Sequence, residues 1–284
     1  MVLSVFNCSP QKSSLPAKMP DKFHIRYAEN GGMSPYSLSI LLSTDSCIFN
    51  HQTQESEQTK IEFEIERSKL DEIYQTCRMY NFDKLKNKKP AHITYDEGSE
   101  GIYLRAAGIS HHVSSGANFP FQNKKHSGNY WKVKNKIFDV YTIARVSSQK
   151  NTYTIQLLDK ISKLTTIGHE AVGVAGTKSE EYKLFESLEA ELNENEWVAL
   201  CQHSNPVVIG YSIWALLRKN SNKAIHLLIE KNNVKTEVKV ANGCETDSIP
   251  LNNWLAQRFK ACPLKDLSGD DQKRVAYYLE RIKK

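Results

Sequence analysis

The sequence has no apolar run approaching the ~18 residues that a membrane-crossing helix needs, so no helical span is expected. Its six cysteines, at positions 8, 47, 77, 201, 244 and 262, include no C-x-x-C pair, which removes the usual zinc and dithiol patterns. Dense basic clusters are missing as well. The net charge of +6 is spread along the chain, and the one tight run, Lys84-Leu85-Lys86-Asn87-Lys88-Lys89-Pro90, reads as a polar connecting loop rather than a nucleic-acid groove. Three catalytic signatures fail on spacing. The glycine-rich segment 168–179 places Lys178 out of step with G-x-x-x-x-G-K-[ST], so its backbone N–H groups and lysine would not converge on a phosphate. His169-Glu170 would need a second histidine at position 173, where Gly173 stands. No G-x-S-x-G elbow occurs, and Cys201 and His203, two apart on a helix, point to different faces. No cofactor is implied.

What is present is a chain of 284 residues, 40% hydrophobic and 25% charged, long enough for two domains of about 100–150 residues each. Its plainest stretch is 176–217, which the spacing predicts as three short helices. Thr177 and Glu180 have capping-box spacing ahead of a stripe of Tyr182, Phe185, Leu188 and Leu192. Asn193 and Glu196 repeat that spacing before Trp197, Val198, Leu200 and Cys201. Pro206, with its φ preset and no N–H to lose, opens a third helix. This helix is apolar almost all round (Val207, Val208, Ile209, Tyr211, Ile213, Trp214, Leu216, Leu217), so neighbours must cover it on several sides. Further helices are expected at 221–231, after Pro250 (Leu251, Trp254, Leu255, Phe259), and after Ser268 with Asp271 as its cap (Val275, Tyr278, Leu279, Ile282), with a short extended piece at 235–240.

The Asn205-Pro206-x-Val208 start followed by a Tyr211/Trp214-Ala215-Leu216 helix resembles the second helix of a HEAT-type repeat. The lead-in Gly173-x-Ala175-Gly176-Thr177-x-Ser179-Glu180-Glu181-Tyr182 is similar to HEAT-like helical domains of uncharacterised bacterial envelope proteins. The likeness covers roughly 161–259. It implies an all-α helical domain at 151–284 with a groove for protein partners. Ile209 stands where the HEAT helix often has Arg, and no second copy at a period of about 40 residues is found, so a regular array is not implied.

Residues 21–146 have a different texture. Alternation predicts strands at 23–27, 38–42, 47–49 and 61–65, with a turn at Asn30-Gly31-Gly32. A helix capped by Ser68 follows, carrying Leu70, Ile73, Tyr74 and Cys77. Strands at 92–95 and 102–106 are expected to pair across Asp96-Glu97-Gly98, and a second helix at 129–143 to present Trp131, Phe138 and Tyr141. This order predicts an α+β domain, an antiparallel sheet with helices on one face, whose glycine turns resemble small domains of uncharacterised bacterial lipoproteins. Five residues with no apolar side chain, Ser147-Ser148-Gln149-Lys150-Asn151, are expected to join the two domains.

Residues 1–20 are expected to be a signal remnant and flexible tether. An apolar run ending at Cys8, then a polar stretch, resembles the tail of a bacterial lipoprotein signal, which implies lipidation of Cys8, a membrane tether and an envelope location. The basic leader is absent, which a start site placed too late would explain; an ordinary N-terminus in a cytoplasmic protein is the other reading. Cys77 and Cys201 fall on apolar helix faces, and Cys244 and Cys262 would be able to pair in an oxidising compartment. The stretch 108–128 is expected to be a long loop, and its His111, His112, Phe119 and Phe121 are the candidate binding residues. His111, His112 and His126 with Asp96, Glu97 and Glu100 carry the donor types of a transition-metal site, without a spacing that defines one. The expected function is therefore non-enzymatic protein binding or scaffolding. The alternative is a metal-dependent or hydrolytic enzyme using His111, His112 or His169 at the domain junction.

Overall fold

The structure is a computed structural model that describes residues 12–32, 36–53, 58–94, 97–170, 176–230, 236–242, 245–261 and 267–282. Cys8, Cys244 and Cys262, and with them the expected lipidation and pairing, lie outside the described residues, as do Tyr95, Asp96 and Gly173. The fold is mixed α+β, and the chain divides into two compact units, 1–144 and 145–284.

The first unit is built on strands β1 (Phe23–Asn30), β2 (Ser37–Ser43), β3 (Cys47–Gln52), β4 (Thr59–Phe63), β5 (Ser99–Ala106) and β6 (Ile109–Ser115). They form one antiparallel sheet in the order β4-β3-β2-β1-β5-β6. Period-two alternation sends Phe49, Ile40, Tyr27, Ile102 and Val113 to the same face, and the register lines them up in one row across five strands. Helices α1 (Arg67–Met79) and α2 (Lys124–Ser147) bury that row. Tyr74 of α1 meets Phe23 edge-on at 5.3 Å, and Phe138 of α2 meets Tyr27 at 5.0 Å.

Several expectations need correction here. Residues 92–94 form no strand; β5 pairs with β1 and with β6, so 109–115 of the expected long loop is a strand. The hairpin between β5 and β6 turns at Ala107 and Gly108, both at positive φ (50° and 78°), the backbone hand that matches strand twist. Helix α1 starts at Arg67 after Glu66, not at a Ser68 cap. On α2 Phe138 and Tyr141 are buried as expected, but Tyr130 (0% exposed) joins them in place of Trp131, which is exposed. The expected tether is not free over 13–19. Leu15 and Met19 are buried in the core, and Asp83 accepts hydrogen bonds from Ser13 Oγ (2.6 Å), Ser14 N (2.8 Å) and Ser14 Oγ (2.7 Å). Two apolar side chains and a buried carboxylate outweigh the entropy of leaving this segment loose.

The second unit departs from the all-α expectation. Beside helices α3 (Thr152–Ser162), α4 (Glu180–Glu191), α5 (Glu194–Leu200), α6 (Pro206–Arg218), α7 (Lys223–Glu230), α8 (Leu251–Ala261) and α9 (Gly269–Ile282), it holds a three-stranded sheet. Strand β7 (Thr166–Ile167) runs parallel to β8 (Glu237–Asn242), which pairs antiparallel with β9 (Glu245–Pro250). Strand β9 escaped the reading because its first four residues are exposed and carry no alternation. The expected linker at 147–151 contributes the N-cap of α3, since Asn151 accepts from Thr154 N.

Helix α6 is the hub of this unit. Every residue from Val207 to Leu217 is buried, and α3, α5, α7 and α8 all pack on it. Phe185 stacks on Tyr211 (4.8 Å) and on Trp214 (4.9 Å), and Trp254 meets Trp214 edge-on at 5.6 Å. The Tyr211 hydroxyl accepts from Gly168 N at 2.8 Å, tying α6 to the end of β7. Asn205 accepts from Val207 N (2.9 Å) and donates to Ser162 O (3.0 Å) and Leu164 O (2.8 Å), so the cap of α6 also holds the end of α3. The Asn193–Glu196 capping box is present as expected, whereas α4 is capped by Ser179, which accepts from Tyr182 N, rather than by Thr177.

Candidate functional site

Near its end strand β1 reads Tyr27-Ala28-Glu29, so Tyr27 and Glu29 share the helix-covered face. Their partners across β5 are Ile102 and Glu100. Two carboxylates therefore stand directly opposite each other at one end of the sheet, an arrangement that like charges oppose by some tenths of a kcal/mol up to about 1 kcal/mol. Local chemistry offsets it. The Tyr27 hydroxyl lies 2.7 Å from Glu29 Oε2 and 2.7 Å from Glu100 Oε2, and Lys134 of α2 pairs with Glu100. Helical spacing puts Trp131 and Phe138 three and four residues from Lys134, and the ammonium lies 4.7 Å from the centre of the Trp131 ring and 5.0 Å from that of Tyr27.

Above this chain of groups lies an open pocket of about 330 Å³, with Glu29, Glu100, Ser99, Ser115 and Trp131 in its wall. Glycine at positions 98 and 116 is dictated by close approach: a Cβ at Gly98 would lie 2.7 Å from Asn30 O, and one at Gly116 would lie 3.1 Å from Gly98 O. Two buried polar atoms beneath the pocket make no hydrogen bond of acceptable geometry, Glu100 Oε1 and the Tyr130 hydroxyl. Burial first, and then the Glu100 carboxylate, push the Tyr130 phenol well above its ordinary range. Burial and the same carboxylate do likewise to Tyr27, so both hydroxyls stay protonated donors at any physiological pH.

The rim is apolar on one side. Asn118 exchanges hydrogen bonds with Thr94 (2.8 and 2.7 Å), and Phe119 N donates to Gly116 O (2.9 Å), so the segments carrying Ile93 and Phe119 adjoin the pocket wall at Gly116. Ile93 is 68% exposed, Phe119 39% and Trp131 42%, three of the seven exposed large hydrophobics among the described residues.

Of the expected site residues, Phe119 belongs to this rim. Phe121 turns inward onto Tyr130 (5.1 Å). His111 and His112, neighbours on β6, face opposite sides of the sheet. His111 is half-buried with Nε2 3.0 Å from Leu85 O, and burial lowers its pKa; His112 is exposed, with Nε2 3.4 Å from Ser114 Oγ. His126 Nδ1 accepts from Lys86 N. Among the described residues no three His, Cys, Asp or Glu side chains converge as a metal cage would require, and Asp96 of the named donor set lies outside them. His169 lies in the second unit, its ring 6.3 Å from Trp214, its pKa lowered by burial and by Arg258; its neighbour Glu170 accepts from the Tyr182 hydroxyl (2.6 Å). Sequence reasoning missed Glu29, Tyr27, Tyr130 and Lys134. The usable signal was Glu29 itself, a charged residue at an inward position of an alternating strand. No family model matches the chain, and no curated protein matches it either.

Proposed function

We propose that the protein is a non-enzymatic binding protein of the bacterial cell envelope, which recognises a protein partner at the sheet end that carries the pocket. The observation behind this is the combination found there: preorganised carboxylates under an open pocket, with Ile93, Phe119 and Trp131 exposed around it. Aromatic side chains in such a setting are the usual anchors of protein recognition. In the second unit, the Asn205-Pro206 start of α6 and its packing on α5 support a HEAT-like helix pair as a scaffold, with three strands added to it. Among the described residues no helix is long and apolar enough to cross a membrane. The envelope location rests on the apolar run ending at Cys8, and a lipid on that residue would supply the anchor.

Site-specific photo-crosslinking in the native cells, followed by fractionation, tests this. A photoreactive residue at Phe119 or at Trp131 is expected to give one common protein adduct in the membrane fraction, and the same residue at exposed Tyr277 none. Equal adducts at all three positions would remove the recognition surface. Adducts confined to the cytosolic fraction would remove the envelope.

A further inference from the structure

The charged groups at the pocket do not balance. Two carboxylates, Glu29 and Glu100, face one ammonium, Lys134, and that ammonium is engaged by Glu100. Glu29 has the Tyr27 hydroxyl, but a phenol carries one proton and sits 2.7 Å from both carboxylates. When Tyr27 donates to Glu100, its oxygen faces Glu29 as a second acceptor; when it donates to Glu29, Glu100 keeps only the lysine. Either way a phenol brings no charge, and the two carboxylates keep one ammonium between them. The Tyr130 hydroxyl, fully buried and close to Glu100, carries no charge and leaves that imbalance as it is. Glu29, which the lysine leaves unpaired, shares the pocket wall with the exposed Trp131 ring.

We infer that the balancing charge is a lysine side chain of the partner: its ammonium pairs with Glu29, its methylenes lie along Trp131, and the flanking residues cover Ile93 and Phe119. This deepens the binding reading above and rests on it. Chemistry of this kind is well matched to the place. A charge-assisted bond to a carboxylate is among the stronger hydrogen bonds, an indole face attracts a cation, and a pocket of about 330 Å³ is at the small end of ligand sites, suited to one side chain rather than a cofactor. The apolar rim favours a lysine carried on a polypeptide over a free amine, which would leave Ile93 and Phe119 in water.

Titration of the full chain, read by NMR at the Trp131 indole N–H (identified by its absence in Trp131→Phe), provides the test. The blocked tripeptide acetyl-Leu-Lys-Leu-amide is expected to shift this resonance saturably. Acetylation of its lysine Nε, or Glu29→Gln in the protein, is expected to weaken binding about tenfold or more. Glu29 is partly exposed and the substitution is isosteric, so the variant should fold; unchanged ring resonances of the buried Tyr74 and Tyr141, in the same unit, check this. Equal binding of the Nε-acetylated peptide overturns the lysine inference while leaving the recognition surface intact. Binding of n-butylammonium as tight as that of the tripeptide overturns the choice of a polypeptide-borne lysine. If none of the three probes moves Trp131, the inference falls, and the crosslinking at Phe119 and Trp131 decides the surface separately.

Discussion

Single residues carry consequences out of proportion to their size where burial and charge meet, and Asp83 is the clearest case. Its side chain is 1% exposed. Burial works to raise its pKa, but the hydrogen bonds from Ser13, Ser14 and Lys84 prevail and hold it at about 2, below the ordinary 3.8. Because the folded value is the depressed one, the stabilisation is complete above the unfolded pKa and is lost as pH falls from about 4 toward 2. The difference amounts to about 2 kcal/mol. Urea unfolding of the first unit at pH 5 and pH 2 is therefore expected to lose about 2 kcal/mol more in the wild type than in Asp83→Asn, which should start lower by a comparable amount at pH 5. Loss of identical size in both would detach Asp83 from the acid response. None of this could be read from the chain, since the serines and the aspartate lie some seventy positions apart. The same separation hid the site: Glu29 and Glu100 are ordinary strand residues until β1 and β5 are laid side by side.

Secondary-structure elements were legible where their own residues terminate them. Asn193 with Glu196, and Asn205 with Pro206, mark the starts of α5 and α6 without help from the rest of the fold. Strand β6 was not legible, because its inward face reads Ile109, His111, Val113 and Ser115, and the histidine and the serine break the apolar pattern. Its turn, Ala107-Gly108, also lacks the usual Asn or Asp. Helix α3 was masked by the polar residues ahead of it, although Leu157, Leu158 and Ile161 form a normal buried stripe. Within α6 the informative residue is Gly210. An alanine there would gain about 0.5–1 kcal/mol of helix propensity. Its Cβ, however, would lie 2.9 Å from Ile167 Cδ1, 3.2 Å from the Trp254 ring and 3.3 Å from Leu251 Cδ1, and all three side chains are buried. Overpacking of that kind costs about 1–3 kcal/mol, so it prevails. Gly210→Ala is expected to lower stability by about 1–2 kcal/mol in thermal or urea unfolding; a stabilised variant would mean that α8 and β7 yield more readily than their packing implies.

Across the whole molecule the two units can be followed separately, because each contains a buried free thiol. Cys77 lies in the first unit, where burial pushes its pKa far above the usual thiol range, and Cys201 lies in the second, fully buried with Sγ 3.3 Å from Trp197 O. Neither is expected to react with a thiol reagent under native conditions. With increasing urea, mass spectrometry of labelled peptides should give one midpoint for Cys77 and another for Cys201, and Asp83→Asn should shift the first. Labelling of Cys77 in native buffer would contradict its place on the buried face of α1. The pairing of β7 sets an order of events during translation. Thr166 is matched with Lys239, so the second sheet has nothing to close upon until the ribosome has passed Val240, whereas the first sheet is complete once Ser115 has cleared the exit tunnel. Helix α6 is made in that interval with its apolar circumference uncovered, and a nascent chain halted there would present to chaperones the surface that the finished protein hides most thoroughly.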